Sequence, residues 1–370
     1  MAGALRIVVA GGGTGGHLFP GLATAREISR RRPDADILFI TGARRMESQI
    51  LDRSGFRQAS IDVEGLKGKN IRKAAATLLG LPRGYRQARR LLKSFSPSVV
   101  FGVGGYSSGP VCLAARRMHI PSAVHEQNSY PGLTNRILGR LVDRIFISFE
   151  ESRSRFPREK TVFTGNPVRE EIIAAGGEAA AKEGPLNLLV VGGSQGAAAV
   201  STAVVDALEV LRDQGRSVRV VHQTGTADYP RVLKLYTEKG LLGSVSPFID
   251  DMAEAYSRSD LVIARAGAGT ISELAVLGKP SILIPFPFAA NDHQTTNAKA
   301  LSDAGGADLL PQSDLNGRRL AELVSRYDDD REALRRLGLR AREKAAPGAA
   351  RAIVDGLEAL MGMEQYKAAA

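Results

Sequence analysis

Short apolar runs rich in β-branched residues recur along this chain, each followed by a stretch of helical length. Such alternation builds parallel sheets with crossover helices. In the first half it predicts strands at "LRIVVA", "DILFIT", "SVVFGVGG", "PSAVHE" and "DRIFIS", and in the second at "NLLVVGG", "VRVVHQ", "VSPFI", "DLVIA" and "SILIPF". Several of these are apolar at consecutive positions, which fits a sheet covered by helices on both faces. The halves also open alike: "RIVVAGGGTGG" and "NLLVVGGSQGA" each read as strand, glycine-rich turn and helix. The expectation is an α/β protein of two doubly wound domains, 1–165 and 166–344, with the junction after "TVFTGNPVR". The Ala-, Arg- and Glu-rich end of the chain, about 345–370, predicts a helix that packs back on the first domain.

A length of 370 residues suits two domains of roughly 100 to 200 residues each. Hydrophobic residues make up 44% and charged ones 24%, and no apolar run reaches the roughly 18 residues of a membrane span, so a soluble globular protein is expected. The first strand begins almost at once, with no secretory signal pattern, and the single cysteine, Cys112, excludes an intramolecular disulfide; the expected residence is the cytoplasm. The charge is less ordinary. A formal net charge of +11 and a pI near 9.9 point to an anionic partner, nucleic acid or membrane surface.

In open parallel sheets ligands sit outside the carboxyl ends of the strands, where glycines let backbone amides approach a phosphate. The loop Gly11, Gly13, Gly16 satisfies G-x-G-x-x-G, yet "DILFI" is followed by "TGARR" rather than by the acidic residue that holds an NAD ribose. Arg44 and Arg45 keep an NADP enzyme open, whereas His17 stands where a Walker loop needs lysine. His17 is either a polar residue at a helix start or a general base at the sheet's mouth, since histidine titrates nearest neutral pH.

"HEQN" closes a strand in the same half, so His125, Glu126 and Asn128 either orient a hydroxylated ligand or form a hydrogen-bonded turn. "GVGGYSSGP" is a third glycine-rich turn, with Tyr106 and Ser107 expected to be exposed. In the second half, Thr270 and Glu273 of "RAGAGTISE" have capping-box spacing, with ribose or sugar hydroxyls as the other partner for the Glu273 carboxylate. In "FPFAANDHQTTNA", Asn291, Asp292, His293 and Gln294 precede a helix, as an N-terminal cap or as sugar-binding groups.

Neither "DAD" (Asp34 to Asp36) nor "DDD" (Asp328 to Asp330) is placed to hold a metal, and no His/Cys cluster has zinc spacing, so no metal is expected. Residues 66–93 hold nine Lys and Arg, Lys67, Lys69, Arg72, Lys73, Arg83, Arg86, Arg89, Arg90 and Lys93, and no acid. They read as two helices broken at Pro82, with solvated basic faces or with a dock for an anionic membrane. Nucleic acid is not expected, because no recognition motif accompanies the charge.

In this order along the chain, "GGGTGGHLFPGLA", "GGYSSGP", "HEQN", "GNPVR", "VVGGSQGA", "FIDDM", "AGAGTISE" and "NDHQTTNA" resemble the motifs of MurG-type glycosyltransferases. The resemblance covers residues 5 to about 300. It implies two Rossmann-like domains facing across a cleft (GT-B type) and transfer of N-acetylglucosamine from UDP-N-acetylglucosamine to undecaprenyl-pyrophosphoryl-N-acetylmuramoyl-pentapeptide. It also implies a peripheral enzyme at the cytoplasmic face of a bacterial plasma membrane, with no cofactor beyond its substrates.

By motif, the resemblance places Thr14, Gly15, Gly16 and His17 beside the reacting sugar and diphosphate, with Tyr106 on the same rim. It gives Asn128 to the donor sugar and Arg169, Ser194 and Gln195 to the donor near its diphosphate. Ile249 holds the uracil, Ala268, Gly269 and Thr270 lie beside the nucleotide, Glu273 binds the ribose, and Gln294, with His293 as the other choice, reads the N-acetylglucosamine hydroxyls. The family pattern departs at "NDHQ", where some members carry two adjacent glutamines. The implied reaction is inverting, with His17 the first candidate base and Glu126 the second. A UDP-N-acetylglucosamine 2-epimerase and a non-catalytic membrane-surface binding protein are the alternatives.

Overall fold

A computed structural model describes residues 5–42, 45–63, 71–176, 184–193 and 196–362, with the backbone alone for 45–47 and 71–81. The chain forms two compact units, Met1–Arg169 with Pro347–Ala370, and Glu170–Ala346.

The first unit is a sheet of seven parallel strands: β1 (Arg6–Ala10), β2 (Asp36–Gly42), β3 (Arg57–Ile61), β4 (Val99–Gly102), β5 (Ser122–Glu126), β6 (Arg144–Ile147) and β7 (Thr161–Phe163). Their order is β3-β2-β1-β4-β5-β6-β7, so the winding reverses between β1 and β4. Alternate residues of one strand enter different cores. Val8 and Ala10 join Leu38, Ile40 and Val100 on one face, and Ile7 and Val9 join Phe39, Val99 and Phe101 on the other. The two-residue strand period and the helices on both faces thus explain the consecutive apolar runs.

The second unit has six parallel strands: β8 (Leu186–Val191), β9 (Val218–Gln223), β10 (Ser244–Ser246), β11 (Leu261–Ala264), β12 (Ser281–Leu283) and β13 (Asp308–Leu309). Their order, β10-β9-β8-β11-β12-β13, reverses between β8 and β11. "VSPFI" is therefore a strand only up to Ser246, because Pro247 has no N–H to give the ladder. The edge strands β3 and β13 were absent from the expected set. β3 is half-exposed and polar at most positions, and β13 is two residues long.

The expected break at Pro82 does not occur: one helix runs Ile71–Phe95 with Pro82 inside it. Proline removes one N–H from the helix, and the Leu, Ala and Arg residues around it favour helix strongly enough to carry it through. The helix Ala349–Leu360 packs on helix Gly15–Arg31 within the first unit. Its Ile353, Val354 and Leu357 enter the core, and Arg31 reaches Asp355 at 2.7 Å and Glu358 at 3.2 Å. Gly356 is required there, since a Cβ would lie 2.6 Å from the Phe146 ring.

The acidic strings have structural partners. Asp36 pairs with Arg57 at 2.6 Å, Asp328 and Asp329 bind Arg216, and Asp330 caps the helix Arg331–Arg342 by accepting from the Ala333 amide.

Candidate functional site

In the first unit the polar residues gather outside the carboxyl ends of β1, β4 and β5, at the reversal point where open sheets bind ligands. The glycine loop after β1 leads into helix Gly15–Arg31, with Thr14 extended before it and no acid in its first turn. Thr14 and Gly16 are exposed, while Gly15 and His17 are half-buried. Several glycines here serve packing between loops. The Gly12 amide donates to the Gly104 carbonyl at 3.3 Å, and a Cβ on Gly11 would stand 2.5 Å from that carbonyl. Gly105, at φ +81°, has the Gly12 carbonyl where a Cβ would be.

Tyr106 is exposed at this rim, but Ser107 is buried, contrary to expectation. Its neighbour Ser108 bonds the Ala10 and Gly104 carbonyls at 2.7 and 2.9 Å, which draws the start of helix Ser108–Arg117 into the sheet.

His17 Nδ1 lies 3.0 Å from Gln127 Oε1. The Gln127 amide nitrogen donates to the Val103 carbonyl at 2.9 Å and lies 3.0 Å from His125 Nδ1. His125 Nε2 then meets the Gly165 carbonyl at 3.2 Å and Ser148 Oγ at 3.0 Å. His125 is fully buried and does not present its ring to a ligand, which corrects the expectation that it orients one. Burial pushes its pKa down to about 4.

Glu126 is also buried, and its carboxylate has one oxygen on the Asn128 amide and side chain (3.0 and 3.2 Å) and the other on the Gly132 amide and Asn135 (3.1 and 3.0 Å). The hydrogen-bonded turn describes "HEQN" better than a set of ligand-facing groups does, and Glu126 is its anchor. Asn128 is half-buried at that turn. Arg169, four residues after Gly165, stacks on Phe19 with its guanidinium 4.8 Å from the ring centre. Between them Asn166 is buried, and neither polar atom of its side chain has a hydrogen-bond partner among the described residues. Buried amides of this kind call for a partner, and a bound ligand or water can supply one.

In the second unit the corresponding rim follows β8, β9, β11 and β12. Ser194 and Gln195 lie outside the described residues, as do Arg44, Lys67 and Lys69; of Arg45, Arg72 and Lys73 only the backbone is described. Gln223, buried at the end of β9, accepts from the Ile249 amide at 3.0 Å. Helix Ala268–Leu277 has Gly267 as its N-cap, so Ala268, Gly269 and Thr270 are its first three residues. This overturns the capping-box reading, because Thr270 is inside the helix rather than before it. The Glu273 carboxylate instead accepts from the buried Tyr256 hydroxyl at 3.0 Å.

Asn291 and Asp292 both have positive φ, 54° and 51°. Asp292 makes no capping bond to a backbone amide and accepts from Thr295 Oγ1 at 2.7 Å, so "ND" is not an ordinary cap. Asn and Asp are the non-glycine residues that adopt this left-handed conformation most readily. Gln294 Oε1 accepts from the Phe286 amide at 2.9 Å, while His293 Nδ1 donates to the Ala290 carbonyl at 2.8 Å.

Three polar residues with structural work at these rims were not singled out in the sequence: Gln127, Gln223 and Arg265. The first two end strands or follow them directly, a position that was available as a signal. Arg265 follows β11, donates to the Ile284 and Pro285 carbonyls (3.1 and 3.0 Å) and to Gln312 (2.6 Å), and lies over Phe286.

Two doubly wound units with polar rims at their reversal points have the architecture of GT-B type glycosyltransferases. Residues 7–147 match the glycosyltransferase family 28 N-terminal domain and residues 187–353 the family's C-terminal domain. A protein of Syntrophus aciditrophicus named UDP-N-acetylglucosamine–N-acetylmuramyl-(pentapeptide) pyrophosphoryl-undecaprenol N-acetylglucosamine transferase is 44% identical over 96% of this chain and 99% of its own. The crystal structure of Acinetobacter baumannii MurG superposes with a TM-score of 0.77 at 32% identity, covering 95% of this chain and 98% of that one. The S. aureus MnaA–UDP co-structure, at 13% identity and a TM-score of 0.70 over 98% of both chains, shares the fold alone. This chain belongs to glycosyltransferase family 28, among its MurG-type members, and is a glycosyltransferase. The oxidoreductase reading is set aside with that finding.

Proposed function

We propose that this enzyme transfers N-acetylglucosamine from UDP-N-acetylglucosamine to the 4-hydroxyl of undecaprenyl-pyrophosphoryl-N-acetylmuramoyl-pentapeptide, with inversion. The relatives' names supply donor and acceptor, and the placement of His17 carries the chemistry: an imidazole held at Nδ1 by Gln127, on the first turn of the helix after β1. The acceptor oxygen attacks the anomeric carbon and its proton passes to His17 Nε2. The bond to UDP breaks with its electron pair on the diphosphate oxygen. The amides of Gly15 and Gly16 and the Arg169 guanidinium are proposed to meet that charge, and no bound metal or other cofactor enters the reading. Glu126, with both oxygens engaged by its turn, holds Asn128 toward the donor sugar rather than acting as the base.

In the second unit, Ile249 is assigned to the uracil, Ala268, Gly269 and Thr270 to the nucleotide, Glu273 to the ribose and Gln294 to the sugar hydroxyls. Ser194 and Gln195 keep their place near the diphosphate by motif. The test is UDP release from the donor with and without the lipid-linked acceptor, together with the product mass. Acceptor-dependent release with one N-acetylhexosamine added supports the transferase. Release of a free sugar product from donor alone would instead make this an epimerase-like enzyme.

The same proposal places the enzyme peripherally on the cytoplasmic face of the plasma membrane. No helix among the described residues is long and apolar enough to cross a bilayer. Arg83, Arg86, Arg89, Arg90 and Lys93 are all exposed on the helix Ile71–Phe95, and Arg83 pairs with Asp62 at 2.9 Å. Each such cation near an anionic leaflet contributes on the order of 1 kcal/mol. Co-sedimentation with phosphatidylglycerol vesicles, lost with neutral vesicles or in high salt, tests this surface.

A further inference from the structure

We infer that Gln127 is a positioning residue that selects which nitrogen of His17 takes the proton, and that the buried His125 and the carbonyls of Val103 and Gly165 hold Gln127 in that orientation. This rests on His17 being the base.

The geometry leaves one consistent arrangement of hydrogens. The Val103 carbonyl only accepts, so the Gln127 atom 2.9 Å from it is the amide nitrogen, and the amide oxygen faces His17 Nδ1 at 3.0 Å. That oxygen only accepts, so Nδ1 of His17 carries the hydrogen and Nε2 keeps its lone pair. At the other end the Gly165 carbonyl again only accepts, so His125 carries its hydrogen on Nε2, 3.2 Å away. His125 Nδ1 is then an acceptor, 3.0 Å from the Gln127 amide nitrogen.

The two backbone carbonyls, held by the sheet, therefore define the direction of the whole relay. Charging of His125 would destroy its acceptor, and burial prevents that by pushing its pKa down to about 4. Gln127 is itself buried, so water does not compete for its amide. A base tied at one nitrogen by a residue that is in turn held is the arrangement by which enzymes select an imidazole tautomer.

The test uses the full-length protein with 15N-labelled histidine and long-range proton–nitrogen spectra, alongside steady-state kinetics. The wild type should show His17 as the Nδ1–H form. Gln127→Met keeps the bulk but removes the acceptor: His17 should lose that signature, and kcat should fall on the order of a hundredfold, with donor KM changed by less than about twofold. Gln127→Glu keeps an oxygen acceptor toward His17 and should keep the Nδ1–H signature, while loss of the amide donor to Val103 and His125 should still lower turnover. An Nε2–H form of His17 in the wild type, or an unchanged spectrum and kcat in Gln127→Met, overturns the inference. His17→Ala separates the two questions. Near-normal turnover there removes the base assignment, whereas the tautomer spectra still decide what Gln127 does.

Discussion

The Arg169 guanidinium rests 4.8 Å from the centre of the Phe19 ring, so the cation that follows β7 is steadied by the helix that follows β1. Phe19 is two residues beyond His17 on that helix. The contact therefore links the proposed diphosphate cation to the helix that carries the proposed base.

Phe19→Leu keeps an apolar residue and removes the aromatic face. A cation–π contact of this kind contributes on the order of 1 kcal/mol. The expected result is a severalfold loss in kcat/KM for UDP-N-acetylglucosamine with little change in melting temperature. Unchanged donor kinetics would show that Arg169 needs no such support.

Gly104, at φ +89°, stands where a Cβ would lie 2.8 Å from His17 Nδ1 and 3.4 Å from Gln127 Oε1. Gly104→Ala combines left-handed strain with a wedge in that hydrogen bond. Stability should fall by about 1–3 kcal/mol, and kcat by more than the change in folded fraction explains. Denaturant titration with a turnover assay on the same sample separates the two, and a loss accounted for by unfolding alone would leave the His17–Gln127 bond uninvolved.

Each unit buries one histidine whose pKa is pushed down to about 4, His125 in the first and His222 in the second, mainly by burial. Unfolding returns each to about 6.5, so between those values the unfolded chain binds more protons than the folded one. The stability each contributes is complete above about pH 6.5 and is lost as pH falls toward 4. His222 adds a bond between its Nδ1 and the Tyr236 hydroxyl at 3.1 Å. Urea midpoints should hold between pH 7.5 and about 6.5 and fall from there to pH 5, and His222→Phe should flatten its share of that fall. An identical slope in the variant would mean that His222 is charged or exposed in the folded state.

Tyr256→Phe removes the hydroxyl that holds Glu273 at 3.0 Å and leaves the packing of the ring in place. Donor KM should rise several times with kcat nearly constant, because the change weakens the proposed ground-state contact of Glu273 to the ribose rather than the chemistry. Glu273→Gln should weaken UDP binding further. Calorimetry with UDP alone measures both, and equal affinity in the two variants and the wild type would take Glu273 out of the nucleotide site.

What the sequence determined by itself was the strand rhythm, the two-fold repetition of strand and glycine loop, and the residues that stand at strand ends. These are local properties: consecutive apolar β-branched residues report a sheet covered on both faces, and clustered glycines at a strand's end report a turn. Family motifs then added roles to Glu273 and Gln294 that spacing alone left open. Tertiary structure decided the partners. "HEQN" does not reveal that Glu126 closes its own turn while Gln127 spans two histidines, because these bonds depend on which strands the winding order makes neighbours. It likewise took the fold to show that Thr270 is inside a helix capped by Gly267, and that Gly11, Gly104 and Gly105 are small because two loops touch. Hydrogen-bond partners more than a hundred residues apart, such as His17 and Gln127, are set by sheet order, and sheet order is a property of the whole chain.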